Sequence, residues 1–216
     1  MNVVVGYDSK NIIATYTAVD SILEHASKPV KFTFLNKNTL NVFVRERGKY
    51  DSTEFSISRF LTPYLCDYQG WSLYIDNDVI VKSDISYLFD NIDDRYDVMV
   101  VKHDHNPKND VKFLGNVQTK YERKNWSSVI MFNNSRCTNL TPDVVNSADG
   151  LYLHQFRWAS SIGSIDNSWN VLAGITKSDR PNIIHYTDGM PYLKEAINCD
   201  YADEWIDVYN RINHVG

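Results

Sequence analysis

The run Trp71-Ser72-Leu73-Tyr74-Ile75-Asp76-Asn77-Asp78-Val79-Ile80-Val81 sets two carboxylates around one carboxamide, between two apolar stretches. The first stretch is rich in aromatic and β-branched residues and predicts a buried strand; Val79 onward predicts a return to the core. Carboxylates placed where a strand has just left a sheet offer oxygen ligands to a hard divalent cation. Asp and Asn at such a place also suit a plain chain reversal. Three distant groups carry related chemistry. His185 ends the run Asn182-Ile183-Ile184, and its imidazole is either a ligand or a hydrogen-bonded side chain of core or surface. Arg59 lies off an apolar stripe and presents a planar fork that fits phosphate oxygens, or is solvated. Trp126-Ser127-Ser128 joins an apolar ring to two small hydroxyls, which suits the faces and edges of a sugar, or the Trp only packs.

The elements that must position these groups follow from periodicity and breakers. Asn2 to Tyr7 reads as a strand, and Ile12, Ile13, Tyr16, Val19, Ile22 and Leu23 recur at helical spacing behind a cap from Asp8, Ser9 or Asn11. Val30 to Leu35 alternates as a second strand and Asn36 to Arg45 predicts a short helix, so the chain opens β-α-β in the doubly wound manner. At the end of strand one, Tyr7 offers a ring on which a nucleotide base stacks and Asp8 an acceptor for it, unless Asp8 is only the helix cap. A helix from about Ser56 carries Ile57, Phe60, Leu61 and Leu65 inward and meets Pro63 as a kink or late start. Ser83 to Phe89 reads as a capped helical turn, and Asp97 to Lys102 as a core strand. His103, Asp104 and His105 cannot all face one ion from an extended chain, so that cluster predicts a loop contact instead. Lys108 to Lys124 is polar with mixed sign and reads as a surface loop of the lid type. Short helices open at Thr141-Pro142 and over Leu151 to Trp158, Trp169-Asn170 falls in a loop, and Tyr201 to Val215 is an amphipathic helix with Trp205, Val208 and Ile212 on one face.

With 216 residues, 43% hydrophobic and 23% charged, the chain suits one domain over 1–216 with a full core. A formal charge of -5 argues against nucleic acid or an anionic membrane as partner, so an anionic ligand needs a local counter-charge such as a metal. Cys66, Cys137 and Cys199 lack metal spacing and are odd in number, which fits free thiols in a reducing compartment. No basic leader and no long apolar segment is read, which predicts a cytoplasmic protein without a membrane span.

Taken together, these residues resemble the nucleotide-sugar glycosyltransferases of the GT-A fold, most closely the retaining family 8 enzymes. The resemblance rests on the acidic run, Gly6-Tyr7-Asp8, Arg59 in the preceding helix, Trp126-Ser127-Ser128 and Ile183-Ile184-His185-Tyr186, in that family's order and over residues 1 to 192. It implies an α/β fold: a Rossmann-like nucleotide-binding mixed sheet flanked by helices. It implies a metal held by Asp76, Asp78 and His185, with manganese preferred and magnesium possible for two carboxylates and one imidazole. The uracil of a UDP-sugar would meet Tyr7 and Asp8, the donor phosphate or sugar Arg59, and donor or acceptor hydroxyls Ser127 and Ser128. Gly6, Asp76, Asn77, Trp126, Tyr186 and Gly189 fall among the substrate-contacting positions, and Gln155 near the amide under the anomeric carbon. Family 8 enzymes follow their metal-binding His with a Gly and then Lys-Pro-Trp; here Met190-Pro191-Tyr192 carries no Lys, and Lys194 or Arg59 would supply that charge. The implied reaction is transfer of a hexose, glucose first, to a hydroxyl of a glycan, lipid-linked sugar or small molecule. A nucleotidyltransferase on a related fold would need a Gly-rich basic loop after strand one. A non-catalytic sugar-binding module would not need His185.

Overall fold

The computed structural model describes residues 1–48, 51–104 and 122–213. The opening is β-α-β as expected: β1 (Asn2–Gly6), α1 (Ile12–His25) and β2 (Lys31–Leu35). Three consecutive valines make β1 apolar on both faces, the signature of a strand covered from two sides. Val4 joins Tyr74, Phe60 and Phe132 on one side of the sheet, while Val3 and Val5 join Ala18 and Ile22 of α1 on the other.

The six-stranded sheet has the order β2-β1-β3-β6-β5-β7, with β3 Trp71–Ile75, β5 Val98–Val100, β6 Val129–Asn133 and β7 Ile162–Ser164. Pairing is parallel for β1 with β2 and β3, and for β5 with β7; β6 alone runs against its neighbours. The sheet is thus mixed and mainly parallel. Register decides what meets at one edge. Val5 lies opposite Ile75, so the segments after β1 and β3 leave side by side, and Ile75 lies opposite Val129, so the reversed β6 delivers the residues before it to the same edge.

After Asp78 the chain enters a second, three-stranded sheet in the order β4-β9-β8, with β4 Val79–Val81, β8 Val171–Leu172 and β9 Ile183–His185. The helices α3 (Ser86–Asp90), α4 (Pro142–Ser147) and α5 (Gly150–His154) are short; α6 (Ala202–Asn213) buries Trp205 and Val208 beside Ile184 and Tyr186, and its Arg211 reaches Asp20 and Glu24 of α1. Among the described residues no helix is long and apolar enough to cross a membrane.

Three elements differ from expectation. Residues 36–45 form turns instead of a helix, because the Asn36 carboxamide accepts from the Asn38 amide and its carbonyl from the Thr39 amide, a local alternative that competes with helix. The stretch with Arg59 starts as a 3-10 turn, Ser58–Leu61, and becomes α2 (Thr62–Leu65) only where Pro63 occupies the first turn, which needs no amide hydrogen. The helix expected to Trp158 stops at His154, since Gln155 caps α5 and Phe156 has φ 53. The polar loop 108–124 and His105 fall almost wholly outside the described residues, Glu122 to Lys124 excepted.

Two stability predictions follow from this frame. A Cβ at Gly6 would lie 2.7 Å from ring atoms of Phe55, which is itself buried. Gly6→Ala is therefore expected to cost about 1–3 kcal/mol through overpacking, read as a lower urea midpoint with unchanged slope. Asp97, also buried, accepts from Arg136 Nε at 2.8 Å, the Ser160 amide at 2.7 Å and the Ser161 hydroxyl at 3.1 Å. Burial pushes its carboxyl up, but those donors outweigh burial and hold it below the ordinary carboxylate value. A depressed carboxyl contributes stability above its unfolded pKa and loses it as pH falls through the folded one. Asp97→Asn should then cost about 1.5–3 kcal/mol at pH 7, with the gap to wild type narrowing in urea titrations at pH 3.

Candidate functional site

The acidic turn is tied at both sides by backbone bonds. The Asp76 amide donates to the Ser128 carbonyl at 2.9 Å, and the Tyr186 amide donates to the Asp78 carbonyl at 2.9 Å. Because β4 and β9 pair antiparallel with Val79 opposite His185, the imidazole arrives next to Asp78. Ligand atoms of Asp76, Asp78 and His185 all lie within 4.8 Å of one another, and His185 Nε2 is 3.3 Å from Asp78 Oδ1. Asp76 and His185 are buried, Asp78 half-buried. Two oxygen donors and one nitrogen donor at this spacing fit a divalent cation of the manganese or magnesium kind better than a thiolate-seeking metal.

Asp76 is held before any ligand arrives. Its Oδ1 accepts from the Tyr74 hydroxyl at 2.5 Å and forms an ion pair with Arg59 Nη1 at 2.8 Å, while Oδ2 makes no hydrogen bond among the described residues. Burial raises its carboxyl above the ordinary value, against the pull of Arg59, and the nearby Asp78 charge adds to the rise. Such a site gains from a positive charge. Arg59 is buried rather than displayed: it also donates to the carbonyls of Ser127 at 2.7 Å and Ser56 at 2.9 Å, and it lies over the rings of Tyr74 and Phe55. Its fork positions Asp76. Lys194, the other cation considered for a phosphate, is exposed on the turn Lys194–Ala196.

Around this centre, Ser127 and Ser128 are both buried. Ser127 Oγ is 2.9 Å from His154 Nδ1, and Ser128 Oγ donates to the Asn125 carbonyl at 2.8 Å. Trp126 is half-buried, its indole N–H donates to the His103 carbonyl at 2.8 Å, and Lys102 and Arg123 both approach its ring. Gln155 is buried; its carbonyl accepts from Arg123 Nη1 at 2.5 Å, and its Oε1 has no hydrogen-bond partner among the described residues. It borders a cleft with Arg123, Phe156 and Arg157.

The Tyr7-Asp8 loop leaves the same sheet edge. Asp8 accepts from the amides of Lys10 at 3.0 Å and Glu54 at 3.2 Å, so it closes its own turn and also docks the segment before Arg59. Tyr7 is half-buried, and Asn11 Oδ1 accepts from the Tyr192 hydroxyl. The side chains of Asn77 and Tyr186 face inward: Asn77 donates to Thr15 Oγ1 at 3.2 Å, and the Tyr186 hydroxyl donates to the Tyr201 carbonyl at 2.8 Å. Gly189 has φ 122, a backbone that a side chain would strain. Two groups were invisible to sequence reasoning. Asn170 touches His185, and His154 touches Ser127, in both cases across non-local contacts that no spacing announces.

No protein-family model matches the chain. Protein CDI of Arabidopsis thaliana is 42% identical over 225 residues, which cover 97% of this chain and 87% of that protein. Among solved structures, the galactosyltransferase LgtC with donor and acceptor sugar analogs superposes with a TM-score of 0.63 at 12% identity, covering 100% of this chain and 98% of LgtC. The bifunctional glycosyltransferase WbbM gives a TM-score of 0.64 at 16% identity over 97% of this chain, which spans only 49% of WbbM. GlyE of Streptococcus pneumoniae gives 0.64 at 16% identity, covering 96% of this chain and 59% of GlyE. At such identities these likenesses establish the architecture, the GT-A glycosyltransferase fold resembling family 8. Joined to that architecture by superposition and to its relative by two residues in five along nearly its whole length, the chain belongs to the family of Protein CDI.

Proposed function

We propose that this protein, as a single GT-A domain, is a metal-dependent hexosyltransferase that moves a sugar, glucose first, from a UDP-sugar to a hydroxyl acceptor with retention. The observation that carries the reading is that His185, more than a hundred residues away in sequence, is gathered with Asp76 and Asp78 within 4.8 Å on a glycosyltransferase fold. Asp76, Asp78 and His185 would hold manganese, or magnesium in its place. A divalent ion supplies Lewis-acid stabilisation of the negative charge that builds on a departing diphosphate. The protein's own part is to orient. Arg59 and Tyr74 fix one oxygen of Asp76 so that the other is presented. Tyr7 and Asp8 take the uracil at the neighbouring strand end, and Ser127, Ser128 and Trp126 line the sugar's approach. Gln155 is a neutral carboxamide and a poor nucleophile beside a carboxylate. That favours attack on the same face, the leaving phosphate oxygen taking the acceptor's proton. Without an acceptor, water would take its place and the UDP-sugar would be hydrolysed. The three free thiols suit a reducing compartment such as the cytoplasm.

Incubation with manganese and a panel of nucleotide sugars tests this. UDP release from a UDP-hexose, lost on chelation, supports the transferase. Pyrophosphate release from a nucleoside triphosphate would replace it with a nucleotidyltransferase, and the absence of either reaction with sugar binding intact would leave a binding module.

A further inference from the structure

Asn170 closes the 3-10 turn Asn167–Asn170, is fully buried, and stands immediately before β8, which runs parallel to β9 with Val171 opposite Ile184. Its carboxamide meets three groups: the Asn125 carbonyl 3.2 Å and Ser128 Oγ 2.9 Å from Nδ2, and His185 Nδ1 3.1 Å from Oδ1. Which end of an amide points where is decided by what the partners can do. A carbonyl oxygen only accepts, so the amide nitrogen must face Asn125. Ser128 gives its own proton to that same carbonyl, which leaves its oxygen to accept from Nδ2. The amide therefore has one consistent orientation, with its oxygen toward the imidazole. That oxygen also only accepts, so Nδ1 of His185 must carry the proton. A metal-ligating imidazole is neutral and has a single N–H, so with the proton on Nδ1 it is Nε2, 3.3 Å from Asp78 Oδ1, that is left to meet a cation.

We infer that Asn170 is a positioning residue that fixes the tautomer and ring orientation of His185, so that Nε2 is presented as a lone pair to a divalent cation. This rests on the metal reading above. The network reaches the other side of the site as well: Ser128 accepts from Asn170 through its hydroxyl and from the Asp76 amide through its carbonyl. One buried chain of bonds thus sets both the nitrogen ligand and the backbone of an oxygen ligand. Outer partners that orient a metal-bound histidine typically contribute about 10–100-fold to metal affinity.

The test has two arms. Manganese binding is followed by the loss of the free-ion electron paramagnetic resonance signal in wild type and Asn170→Ala, with thermal melting in chelator reporting the fold of each. The expected result is about 10–100-fold weaker manganese binding by a folded variant. A folded Asn170→Ala that binds manganese within about twofold of wild type overturns the inference. The second arm uses wild type alone, so it survives a variant that fails to fold. Long-range proton–nitrogen correlation on histidine-labelled, metal-free protein at alkaline pH, with the ring assigned against His185→Gln, should show His185 protonated at Nδ1; protonation at Nε2 overturns the inference. Wild type that binds no manganese would sink the metal reading instead, while the tautomer is still decided by the second arm.

Discussion

Asp78→Asn is expected to remove metal-dependent release of UDP while leaving the fold standing, and Asp76→Asn to remove it at a measurable loss of stability. The difference lies in surroundings. Asp78 is half-buried, and a near-isosteric amide there changes a ligand without emptying a core position, so its effect on unfolding should stay within about 0.5–1 kcal/mol. Asp76 is buried against Arg59 and Tyr74. An amide there still accepts the tyrosine's hydrogen but leaves the guanidinium without its counter-charge. For turnover both changes replace an anionic oxygen donor by a neutral one. Since even outer partners of a metal ligand contribute about 10–100-fold, loss of a ligand's charge should lower metal-dependent UDP release by about a hundredfold or more. Titration of manganese against initial rate separates weaker binding from slower chemistry. Unchanged turnover in both variants would remove these two residues from the role assigned to them.

Arg59→Ala carries the largest expected effect on stability. The ion pair with Asp76 has side-chain exposures of 6% and 13%, so solvent does little to screen it. Removing one partner of a buried pair leaves the other charged and uncompensated, which costs about 3–5 kcal/mol. The variant also abandons the carbonyls of Ser127 and Ser56 and the stacking over Tyr74 and Phe55. Arg59→Lys should fall between, because an ammonium keeps the charge but cannot span the same acceptors in one plane. A divalent cation at Asp76 supplies the missing positive charge. Manganese should therefore raise the melting temperature of Arg59→Ala by more than it raises that of wild type. A loss under about 1 kcal/mol, with no added response to metal, would mean that Arg59 is not what holds Asp76 in place.

The local elements were legible and their partners were not. Three valines in β1, the helical spacing of α1 and the apolar run before Asp76 each announce an element through a short-range pattern, and each is there. So is the strand that ends in His185. Nothing in the sequence says that β6 enters the sheet reversed or that β9 leaves the main sheet to pair with β4. Alternation fixes which face of a strand is buried but not which strand lies beside it. For the same reason the sequence marks the imidazole as a candidate ligand and leaves Asn170, which meets it at 3.1 Å, as a loop residue. Arg59 shows how burial escapes a reading of charge: the sequence marks it as a cation able to meet phosphate, and the fold buries it beside Ile57, Phe60 and Leu61 and pairs it with Asp76. The expected helix after Asn36 failed on a simpler point, an Asn side chain that satisfies the turn's own amides better than a helix would.

Manganese anomalous scattering from a crystal grown with manganese and UDP reads the central arrangement directly. One peak within bonding distance of an oxygen of Asp76, an oxygen of Asp78 and Nε2 of His185 is the predicted result. A crystal with UDP bound in which the peak is missing or lies elsewhere, or in which the His185 ring turns its Nε2 away from the two carboxylates, would contradict it.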